Sequence, residues 1–112
     1  MASIPSAIST QTLLNITTPV EVALVPSSVT LGTASVRVLN AGTTSANFTL
    51  WFVPAGQSTP LDVHLIQFEH PLSPKASNID FGIAVNAGDR FFVRTTGIKT
   101  VVLVNIVAHQ QS

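Results

Sequence analysis

The sequence predicts an all-β chain, an antiparallel β-sandwich or jelly roll of about eight short strands with an extended N-terminal arm. The texture is Val, Thr, Ser, Asn and Gly, the mixture expected of alternating strands and their turns. Pro and Gly clusters punctuate it at near-regular intervals, as a run of short strands requires. No segment sustains a helical apolar period between caps, so no long helix is expected.

Residues 1–10 read as the arm, with Ile4, Pro5 and Ile8 on a small, polar stretch; residues 11–112 read as one sandwich domain. Strands are expected over residues 11–17, 20–25, 34–39, 47–53, 62–69, 78–85, 90–95 and 99–108. Between them, Asn40-Ala41-Gly42, Pro54-Ala55-Gly56 and Asn86-Ala87-Gly88-Asp89 each offer a residue that tolerates positive φ. Pro71 and Pro74 keep their stretch out of the centre of a sheet.

Alternation assigns the faces. Val20, Val22 and Leu24 should point inward, with Glu21 and Ala23 outward. Phe48, Leu50 and Phe52 should point inward, leaving Asn47, Thr49, Trp51 and Val53 outward. The last strand is apolar on both sides: Val102, Val104 and Ile106 on one, Val101, Leu103 and Val107 on the other. A strand of that kind is buried on both faces, and in a two-layer domain the second cover comes from another chain. Phe91 and Phe92 also point opposite ways, so one should be core and the other an interface residue or loop-covered.

A chain of 112 residues makes one domain, and only 9% of them are charged against 46% hydrophobic. That balance excludes intrinsic disorder. Five basic and five acidic residues cancel, so no long-range field draws nucleic acid or anionic lipid. The absence of cysteine excludes disulfides and thiolate chemistry. The first basic residue is Arg37, and Pro5, Ser6, Ser9 and Thr10 break up the start, so no secretory signal is expected. Apolar runs such as residues 101–104 fall far short of the roughly 18 residues of a membrane helix.

Catalytic chemistry has little to work with. The carboxylates are Glu21, Asp62, Glu69, Asp80 and Asp89, and the histidines are His64, His70 and His109. Asp62 and His64 would share a strand face, with His70 further along, but that sparse set reads as a solvated face rather than a metal centre. No G-x-S-x-G elbow or phosphate loop occurs; Gly32, Gly42, Gly56 and Gly88 stand singly at turns. Asn15-Ile16-Thr17 and Asn47-Phe48-Thr49 match the glycosylation acceptor pattern, as a chain this rich in Ser and Thr does by chance. Neither an enzyme nor a cofactor is expected. Trp51 stands out, because an outward Trp either anchors an interface or covers the second face of its own sheet.

The run Val20-Glu21-Val22-Ala23-Leu24-Val25-Pro26, then Ser35-Val36-Arg37-Val38-Leu39-Asn40-Ala41-Gly42, then Phe48-Thr49-Leu50-Trp51-Phe52-Val53-Pro54-Ala55-Gly56, resembles small β-sandwich structural proteins of tailed bacteriophages. Their later "LxxGD" turn is matched by Val85-Asn86-Ala87-Gly88-Asp89. The likeness spans residues 20–107, leaves out the arm, and carries no active site. It implies a virion component assembled in the host cytoplasm: a capsid decoration, or cement, protein that self-associates, with a trimer favoured, and grips the major capsid protein. Tail, neck or fibre accessories share the pattern. A carbohydrate-binding module, with Trp51 beside Asn47 and Thr49 as platform, is a third reading. The candidate interface residues are Ile4, Pro5, Ile8, Trp51, Val101 and Leu103.

Overall fold

The structure, a computed structural model, describes residues 6–109, with side chains from residue 8 onward. Its strands are β1 Ser6–Leu13, β2 Val20–Leu24, β3 Gly32–Asn40, β4 Ala46–Val53, β5 Leu65–Leu72, β6 Ser77–Val85, β7 Arg90–Thr95 and β8 Thr100–Ala108. One 3-10 turn, Asp62–His64, precedes β5. The strands form two antiparallel four-stranded sheets, β1-β8-β3-β6 and β2-β7-β4-β5, packed together. Pairing is nested: the first strand meets the last, the second the seventh, the third the sixth, the fourth the fifth.

The core lies between the sheets and follows from alternation. Ala34, Val36 and Val38 of β3 and Val102, Val104 and Ile106 of β8 face Val22, Phe48, Leu50, Phe91 and Val93 of the opposite sheet. Burying each of the larger of these side chains stabilises the fold by roughly 1.5–3 kcal/mol. Pro71 sits on β5, an edge strand, where its missing N–H costs no central ladder bond.

Where the expected faces fail, an extra residue reverses the parity. The β2–β7 register shifts between Glu21 and Ala23, so Val22 and Ala23 are both buried and Leu24 is 49% exposed. This corrects the inward Leu24 and outward Ala23. The segment expected to open the fifth strand is the 3-10 turn instead, closed by the Leu61 N–H donating to His64 Nδ1 at 3.0 Å. Asp62 and His64 therefore share no strand face. The first strand also starts earlier than expected, at Ser6, and ends at Leu13 ahead of Asn15, whose φ is 55°. The second half of the expected arm is thus a sheet strand; Ile4 and Pro5 lie outside the described residues.

Candidate interaction surface

The outer face of the β1-β8-β3-β6 sheet can be built row by row from its register. One row runs Thr12, Val101, Leu39, Ser77; the next runs Thr10, Leu103, Arg37, Ile79. Further along come Ile8, Asn105 and Ser35, then Val107, Thr33 and Ala84. Strict alternation in β8 makes this face, because every inward Val or Ile leaves an outward neighbour. At one end His109 Nε2 meets the Thr33 hydroxyl at 2.6 Å, and elsewhere large apolar side chains stay open to water. Ile8 is 71% exposed, Ile79 52%, Phe81 79% and Val107 43%. Leu39, Val101 and Leu103 are half-buried and, with Thr10 and Arg37, line a shallow hollow of about 290 Å³. Arg37 is the one formal charge in these rows, and both ion pairs among the described residues lie on the other sheet.

The other sheet covers the middle of its outer face, although Phe68 on its edge strand β5 stays 62% exposed. Trp51 sits directly across from Phe92, and with Val53 and Leu65 they form a small second cluster. The Arg94 guanidinium lies over the indole at 5.6 Å from the ring centroid, within 3.8 Å of the Glu69 carboxylate. Arg90 reaches Glu21 at 3.4 Å on the same sheet. Trp51 is consequently only 7% exposed, which corrects its expected role as a surface anchor. It offers no open platform for a sugar either, since Thr49 is buried and its hydroxyl accepts the Glu69 N–H at 3.1 Å. Phe91 is the core member of its pair, tilted against Phe52 with centroids 5.3 Å apart; Phe92 belongs to the Trp51 cluster.

Of the six candidate interface residues, Ile8, Val101 and Leu103 share the uncovered face, while Trp51 is on the opposite sheet. Leu39, Ile79 and Phe81 belong to the same face and were not among the candidates. A signal for two of them existed: Ile79 and Phe81 alternate with Asp80 along a strand. Gly82, at φ 74° beside a register shift, breaks the alternation, so Ile83 turns back to pack on the core.

Several titratable groups hold local structure. His70 tilts against Phe48 with centroids 5.4 Å apart, and Asp80 accepts from Gln67 at 3.0 Å and Asn78 at 2.9 Å. Among the described residues no group of three or more His, Asp or Glu is placed to hold a metal ion. A second hollow of about 390 Å³ lies where β5 and β6 part, lined mainly by Phe52, Val63, Ile66 and Ile83. No protein-family model matches the chain, and no curated protein matches it.

Proposed function

We propose that the chain is a non-enzymatic structural protein of a virion, a capsid decoration protein that packs its β1-β8-β3-β6 face against neighbouring subunits. The observation that carries this is the uncovered apolar face itself. Ile8, Leu39, Ile79, Phe81, Leu103 and Val107 share this face around a single charge, with Ile8, Ile79, Phe81 and Val107 exposed, and exposed apolar side chains grouped on one face mark interaction surfaces. Removing it from water contributes about 25 cal/mol per Å², set against an association cost of roughly 4–15 kcal/mol. A contact of about 1,600 Å² is the usual size that overcomes such a cost, and repetition over a lattice multiplies modest contacts into avidity.

Two further features support the reading. The nested order 1-8-3-6 and 2-7-4-5 fits the expected jelly roll, an architecture recurrent in viral shells, and so supports the reading. Fold alone does not assign function, so this adds to the surface and does not replace it. The resemblance of the chain's turn motifs to those of phage structural proteins supports the same reading.

The test has two arms. Native mass over a dilution series should give a closed oligomer, and Leu103→Lys should shift it toward monomer, with the unfolding midpoint unchanged at dilutions where both proteins are monomeric. Quantitative mass spectrometry of purified particles should then find the chain in register with the shell subunit. A far lower copy number would move it to tail, neck or fibre. Absence from particles overturns the virion role.

A further inference from the structure

Each four-stranded sheet leaves two edge strands whose outward N–H and C=O groups can pair with another chain. Here these edges are β1 and β6 in one sheet, β2 and β5 in the other. Three of the four carry devices that discourage pairing. β2 is five residues long and bulged at Glu21/Ala23. β5 has Pro71, two register shifts and Glu69 at φ 46°. β6 is bulged, holds Gly82 at φ 74°, and carries Asp80. β1 has none of these. It runs eight residues in unbroken register with β8, and contains no Pro, no Gly and no charge.

We propose that β1 pairs antiparallel with β1 of a second copy about a two-fold axis at Thr10, joining two sheets into one. This rests on the self-association read above and adds an edge-to-edge contact to the face contact proposed there. A two-fold contact sets a strand against itself, so any charge on it is brought close to its own copy. That selects β1 among the edges, since Glu21, Glu69 and Asp80 burden the other three. Residues opposite one another in a sheet must share a face, so a two-fold axis passes through one residue and its copy. With the axis at Thr10, Thr10 meets Thr10 and Ile8 meets Thr12, β-branched pairs on the outer face. The paired segment then covers residues 7–13 and ends before Pro5, which has no N–H to give. Ile8 borders Asn105 and Leu103 on the uncovered face, so the union sets two such faces side by side. The pair is a dimer, in place of the trimer that the phage resemblance implies.

The absence of cysteine makes the test direct. Ile8→Cys, Thr10→Cys and Thr12→Cys all alter exposed positions. Opposed strand residues have Cα atoms roughly 4.5–5.5 Å apart, within disulfide range, whereas Ile8 and its own copy would be offset by roughly 13 Å. Under mild oxidation Thr10→Cys should link to itself, Ile8→Cys and Thr12→Cys should not, and a mixture of those two should link. The linked and unlinked proteins should share one native mass, that of a dimer or a whole multiple of it. An oligomer without the Thr10→Cys link overturns the pairing and leaves self-association standing. A monomer at every concentration overturns both.

Discussion

Asn40 is fully buried and uses its whole side chain on backbone. Its amide donates to the carbonyls of Thr44 at 2.8 Å and Leu72 at 3.1 Å, and its Oδ1 accepts the Gly42 N–H at 3.0 Å. One residue thereby closes the β3–β4 turn and ties it to the end of β5. Asn40→Ala leaves the buried Leu72 carbonyl unpaired and should cost about 1–3 kcal/mol, read as a lower urea midpoint with unchanged slope. Asp89 does similar work at 5% exposure, accepting the N–H of Asn86 at 2.7 Å and of Ala55 at 2.9 Å. It joins the Asn86–Asp89 turn to the Pro54-Ala55-Gly56 turn. Asp89→Asn turns one acceptor oxygen into a donor facing an N–H, and should cost about 2 kcal/mol by the same measurement. Sequence marked both residues as turn formers, because Asn, Gly and Asp declare backbone needs locally. It did not show that each turn is held to a second one, since that depends on which strand ends meet.

At the scale of strands, alternation was legible wherever pairing is regular. β8 announced its two apolar faces, and the structure leaves the outer one uncovered. β2 was misread because a single extra residue reverses every face beyond it, and no residue type announced the bulge. Trp51 was left between anchor and cover for a different reason, and the structure has it covering its own sheet. Its cover comes from Phe92 and Arg94, far along the chain, and becomes visible only once β4 is known to pair with β7. The consequence is measurable. Trp51→Ala should lower stability by about 3 kcal/mol as a buried large-to-small change, whereas Leu103→Lys should act on association. If Trp51→Ala instead spared stability and dissolved the oligomer, the indole would be an anchor after all.

For the whole molecule, charge placement separates the two outer faces. Glu21, Glu69, Arg90 and Arg94 are gathered on the sheet that covers itself, while the uncovered face carries Arg37 alone and β1 carries no charge. Contacts made through that face and that edge must then rest on apolar burial and main-chain hydrogen bonds. Salt screens charges over about 10 Å at 0.1 M and about 3 Å at 1 M, but it does not weaken burial. Raising sodium chloride across that range should change the dissociation constant by less than about threefold, and sulfate should tighten the oligomer through its exclusion from apolar surface. Sedimentation velocity at matched protein concentration reads both effects. A steep loss of association with salt would transfer the contact to the arginine-bearing sheet, where screening has pairs to act on, and the uncovered face would have to be matched to a partner other than a second copy.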